Sequence, residues 1–142
     1  MAASATCVFC RIVSGDIPAT KVHEDAHVVA FLDVQPLRPG HVLVVPRSHV
    51  ARLHDMPHAE ADALWRAVHA IAPRAEKALG ASATTIGVNN GRASGQEVPH
   101  VHVHIVPRKE GDGAGPFHAA FPDRPSVTRE EMQAIAERMR SG

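Results

Sequence analysis

The sequence predicts a single α+β domain, and three observations carry that reading. Residues 28–32 and 41–45 are short apolar runs rich in β-branched side chains, residues 57–79 repeat apolar positions every three or four, and residues 100–106 alternate strictly between histidine and aliphatic residues. At 142 residues the chain suits one core of ordinary size.

Taken in order, the first two strands flank Gln35-Pro36-Leu37-Arg38-Pro39-Gly40, whose prolines and glycine mark a connection, so they read as antiparallel neighbours. Leu64, Val68, Ile71, Ala75 and Leu79 then line one face of the main helix, and Gly80 stands where a helix ends. Pro73 lies inside that helix, which predicts a kink near residues 70–73. A further strand is expected at 84–89, a glycine-bearing loop at 90–95, and the histidine strand at 100–106. After the glycine-rich loop 110–116, Thr128-x-x-Glu131 is a capping box that opens a short helix with Met132, Ile135 and Met139 on one face. This last helix is expected to dock on the core or on a second subunit.

Charge and composition narrow the function. Fifteen Lys and Arg balance fifteen Asp and Glu, leaving no basic footprint for nucleic acid or for an anionic membrane. No apolar run approaches the roughly 18–20 residues of a membrane span. The first six residues lack the charged and apolar regions of a signal peptide, so a cytoplasmic location is expected. Large aromatics are scarce, whereas histidine occurs eleven times.

Side chains at i and i+2 of a strand share a face about 7 Å apart, so His100, His102 and His104 can converge on one anionic group. Val101, Val103 and Ile105 take the opposite, buried face, which aims the imidazoles at a cleft or a partner layer. The same pattern suits an open catalytic zinc site in which His100, His102 and a distant histidine activate water. Cys7-Val8-Phe9-Cys10 is a C-x-x-C that supplies two of the four ligands a structural zinc needs. A thioredoxin-like role is disfavoured, because only six residues precede the motif. His23, His27, His54, His58, His69 and His118 fit no motif and are expected at the surface, and Asp62 and Glu76 read as a solvated helix face.

His100-Val101-His102-Val103-His104-Ile105-Val106 resembles the motif of the histidine triad (HIT) family. The resemblance extends over Gly15-Asp16-Ile17-Pro18-Ala19, Phe31-Leu32-Asp33-Val34, residues 41–49, Asn89-Asn90-Gly91, Gly95-Gln96 and Pro107-Arg108. It covers residues 1–108 as a domain and leaves 109–142 as a C-terminal extension. It implies a sheet of about five strands with one main helix, a homodimer, and hydrolysis at the α-phosphate of a purine nucleotide conjugate. His102 would be the nucleophile, with His104 and His41 contacting the phosphate and the leaving oxygen. Histidine rather than glutamine at the third triad position favours hydrolysis over nucleotidyl transfer to a sugar phosphate.

Asp33 would take the ribose hydroxyls. Phe9, Ile12, Phe31 and Val34 would surround the base, and Asn89, Gln96, Glu97 and Val98 would complete the nucleotide site. At Glu97 the phosphoramidase branch has serine, and a carboxylate beside an α-phosphate is repulsive, so Glu97 is expected to turn away or to meet the leaving group. The resemblance also implies a structural zinc held by Cys7, Cys10, His49 and His100; the alternative is a pair of reduced thiols. A nucleotide-binding adaptor with little turnover is the remaining reading.

Overall fold

Alternation along the central strands decides the layering. The computed structural model describes residues 3–142. In chain order it contains α1 (Val8–Ser14), β1 (Lys21–Glu24), β2 (Val28–Leu32), β3 (Val42–Pro46), α2 (His58–Leu79), β4 (Ala83–Gly87), β5 (Val103–Arg108) and α3 (Arg129–Ser141). The five strands form one sheet in the order β1-β2-β3-β5-β4, with every neighbouring pair antiparallel. Val28, Ala30, Val42, Val44, Val103 and Ile105 pack with Leu64, Ala67, Val68, Ile71 and Ala75 of α2. Val29, Phe31, Leu43 and Val45 form a second cluster with Phe9, Cys10 and Ile12 of α1. Each fully buried aliphatic or aromatic side chain contributes roughly 1.5–3 kcal/mol, so both faces hold the sheet. Pairing of Leu43 with His104 and of Val42 with Ile105 fixes the register, which puts the imidazoles on the α1 face.

Helix α2 ends as expected. Gly80 takes φ 60°, and the N–H groups of Gly80 and Ala81 donate to the Lys77 and Glu76 carbonyls. Pro73 sits inside an unbroken helix, and the carbonyl that loses its donor belongs to His69, an exposed residue that water can satisfy. The last strand differs from expectation. It begins at Val103 rather than residue 100, because the His100 and Val101 N–H groups donate to the Val98 and Val50 carbonyls instead of a ladder partner. Neither α1 nor β1 was expected.

One compact unit ends at Asp112 and a second spans Gly113–Gly142, four residues beyond the expected boundary. Asp112 explains the difference: its carboxylate receives a two-pronged contact from Arg108 at 2.7 and 3.0 Å, and its carbonyl accepts from Arg38 at 2.7 Å. In the second unit the capping box is present as expected, with Thr128 and Glu131 bonded reciprocally. Met132, Ile135 and Met139 of α3 are exposed. Among the described residues no helix is long and apolar enough to cross a membrane.

Candidate active site and metal centre

Three imidazoles meet where β5 runs beside the start of β3, and their hydrogen bonds assign every ring proton. The Leu37 N–H donates to His41 Nδ1 at 3.1 Å, so that nitrogen is bare and the neutral ring carries its proton on Nε2. His41 Nε2–H then donates to His104 Nδ1 at 2.9 Å, which places the His104 proton on Nε2. The His104 Nε2 is buried and has no hydrogen-bond partner among the described residues. A buried donor without a partner is costly, and it marks where an acceptor is missing. Burial holds both rings neutral. It pushes His104 down to about 4, reinforced by His102 and His41 and opposed by Asp33, and it lowers His41 against the same Asp33 carboxylate.

His102 has the complementary arrangement. Its Nδ1 lies 2.8 Å from the His100 carbonyl, which can only accept, so the proton sits on Nδ1 and Nε2 presents a lone pair. Phe9 packs its ring against His102 with centroids 5.0 Å apart, and His104 flanks it at the same separation. The site therefore sets a bare nitrogen beside an unspent donor.

Cys7, Cys10, His49 and His100 form a separate cluster. Their ligand atoms all lie within 4.8 Å of one another. Cys7 is the N-cap of α1, and Cys10 lies one turn further on. His100 is fully buried; its Nε2–H donates to the Pro46 carbonyl at 2.8 Å, leaving Nδ1 bare toward Cys7 Sγ at 3.5 Å and Cys10 Sγ at 3.6 Å. His49 Nδ1 approaches Cys10 Sγ at 3.3 Å. Burial lowers His100 to about 4 and raises the Cys10 thiol. Two buried sulfurs and two imidazole nitrogens, one already oriented by a carbonyl, suit zinc in chemistry and number.

The residues expected to bind nucleotide do not share one environment. Phe9, Ile12 and Phe31 are buried in the cluster on the α1 face, with Val98 packed against it, whereas Val34 is 90% exposed. Asp33 spends one oxygen on the Gln35 N–H and holds the other 3.7 Å from His41 Nδ1. Gln96 is a brace: its amide donates to the Ala51 and Val98 carbonyls and accepts from the Gly91 N–H. Asn89 and Glu97 are exposed. Sequence reasoning missed the Leu37 N–H and the Pro46 carbonyl, because a backbone group leaves no mark in the residue types.

This arrangement is that of a histidine-triad protein. The HIT domain model matches residues 14–111, and the chain belongs to the HIT family. Among its relatives, an adenosine 5'-monophosphoramidase of Schizosaccharomyces pombe is 37% identical over 137 residues, covering 96% of this chain and 97% of that protein. A crystal structure from Streptococcus mutans superposes with a TM-score of 0.89 at 36% identity, covering 99% of this chain and 88% of that one. A zinc-bound histidine triad family protein of Mycobacterium smegmatis superposes with a TM-score of 0.74 at 34% identity, covering 96% of both chains.

Proposed function

We propose that the protein hydrolyses nucleoside phosphoramidates, nucleotidyl adducts or dinucleoside polyphosphates at the α-phosphate, through a nucleotidyl-His102 intermediate. The observation that carries this reading is the bare Nε2 of His102, fixed by the 2.8 Å bond from its Nδ1–H to the His100 carbonyl. That lone pair forms a bond to phosphorus while the bond from phosphorus to the leaving nitrogen or oxygen breaks, and the leaving atom takes up a proton, from the His104 Nε2–H or from water. Water then cleaves the phosphorus–nitrogen bond, which releases the nucleoside monophosphate and restores the ring. The unpartnered His104 Nε2–H, backed by His41, is available to charge developing on the phosphoryl oxygens or the leaving atom. The naming of the yeast relative as an adenosine 5'-monophosphoramidase supports an AMP-like substrate. Asp33, with its second oxygen free of strong bonds, suits the ribose hydroxyls, and the exposure of Glu97 leaves its carboxylate free to turn from the phosphate.

Cys7, Cys10, His49 and His100 would hold a structural zinc. Zinc there supplies a cross-link from α1 to the histidine segment. Its four ligands form a complete set that does not include His102, which favours this reading over a catalytic zinc hydrolase. The expected assembly is a homodimer, supported by β4 at a sheet edge with Ile86 exposed and by the exposed Trp65 on α2. Sedimentation velocity should give twice the chain mass.

Hydrolysis of adenosine 5′-phosphoramidate by wild type and His102→Ala, with and without chelator and with circular dichroism as the folding control, tests the mechanism. Turnover by chelated wild type and none by His102→Ala is expected. Loss of all activity on chelation of a folded protein would overturn it, and AMP binding without any trapped nucleotidyl-histidine would indicate an adaptor.

A further inference from the structure

The residues 100–102 precede the strand ladder, so no sheet pairing holds the carbonyl that orients the nucleophile. Position there depends on particular bonds. The Val101 N–H donates to the Val50 carbonyl at 2.7 Å, and the His100 N–H donates to the Val98 carbonyl at 2.8 Å. Beyond these, the His100 ring is the anchor: Nε2–H is held by Pro46, while Nδ1 meets the two sulfurs. One residue thus belongs to both clusters, with its side chain in the cysteine group and its carbonyl on His102 Nδ1.

We propose that His100 is a positioning residue that couples filling of the Cys7–Cys10–His49–His100 group to the tautomer and aim of the His102 ring. Without metal, His100 Nδ1 is held only by thiol contacts of 3.5 and 3.6 Å, which are weak hydrogen bonds. A bound metal replaces them with ligand bonds and fixes the ring at both nitrogens. The carbonyl two bonds from that Cα is then fixed as well, and His102 keeps its proton on Nδ1. An empty group leaves the His100 ring held firmly at Nε2 alone, loosens the carbonyl, and allows the His102 proton to exchange between the two nitrogens. A ring with its proton on Nε2 has no lone pair to offer at the attacking position. The coupling makes the hydrolase responsive to zinc supply without any metal contact to substrate.

The inference rests on the reading of His102 as nucleophile, and its test is chosen to be separable from it. Protein labelled with ¹⁵N in histidine reports each ring tautomer by long-range correlation spectra, with no substrate present. Zinc-loaded protein should show His102 with a single fixed proton on Nδ1. Zinc-free protein, shown to be folded by the dispersion of its core methyl resonances, should show an averaged His102 signal and a kcat lower by about tenfold at nearly constant KM. Loading with cadmium keeps the group filled with a larger ion, so a shifted but still fixed His102 signal is expected even if the metal-free protein unfolds. Identical His102 signals in the zinc and folded metal-free forms, or a tautomer-averaged His102 signal in the cadmium form, would overturn the coupling. Absence of turnover in every form, with the His102 signals responding to metal, would instead overturn the hydrolase reading alone.

Discussion

At the scale of single residues, the site works by assigning protons to nitrogens. Among the described residues, the Leu37–His41–His104 chain ends in a donor with no acceptor, and the His100–His102 bond leaves a lone pair on Nε2. Replacing His104 by alanine removes the unspent donor, and kcat for adenosine 5′-phosphoramidate should fall by about a hundredfold or more, with AMP affinity far less affected. His41→Ala should cost less, because it frees the His104 proton to choose either nitrogen without deleting it. Steady-state kinetics and AMP titration check both. Acid stability follows from the same burial. His104, at about 4 in the folded state against 6.5 unfolded, and His41, lowered in the same sense, bind fewer protons folded than unfolded. Their neutral forms therefore lose stability as pH falls from about 6.5 toward 4, and the urea midpoint should drop across that window.

At the scale of elements, the turn that delivers His41 is moulded on the end of α2. Gly40 has φ 83°, and a Cβ there would lie 2.6 Å from Leu79 Cδ2. Gly40→Ala should cost roughly 1–3 kcal/mol from backbone strain and overpacking, read as a lower thermal midpoint; Gly40→Ala combined with Leu79→Ala should recover only the packing share. Thr128→Ala removes the α3 cap and should cost that helix about 1 kcal/mol, read as lost helical ellipticity. Strand β5 and helix α2 were legible because their periods of two and 3.6 are written in their side chains, and β2 and β3 because they are short apolar runs rich in β-branched residues. Helix α1 was not. Val8, Ile12 and Val13 are β-branched, and Cys7 gives the helix start no side-chain cap, so local preference argues against a helix that burial of Phe9, Cys10 and Ile12 imposes. β1 is short, polar and at an edge, with no alternation to read. The triad and both cysteines were legible as motifs, whereas the carbonyls and N–H groups that orient them were not. Gln96, expected at the nucleotide, shows the difference: its residue type was noticed, and its bonds to three backbone groups could not be.

At the scale of the whole compact unit, the sheet divides labour between its faces, with α2 and aliphatic side chains behind and α1, the cysteines and the imidazoles in front. Zinc binding to the folded form alone should raise the thermal midpoint, more steeply as free zinc exceeds its dissociation constant, and Cys10→Ser should abolish most of that rise. Calorimetry across a zinc series measures it. The alternation of residues 101–106 carries a consequence for how such a chain can change over time. Core and imidazoles occupy alternate letters of a single short word, so a one-letter insertion between His102 and Val103 would trade their places, sending His104 into the oil and Val103 to the imidazole face. Length variation is barred from this stretch, and innovation is left to the loops around it.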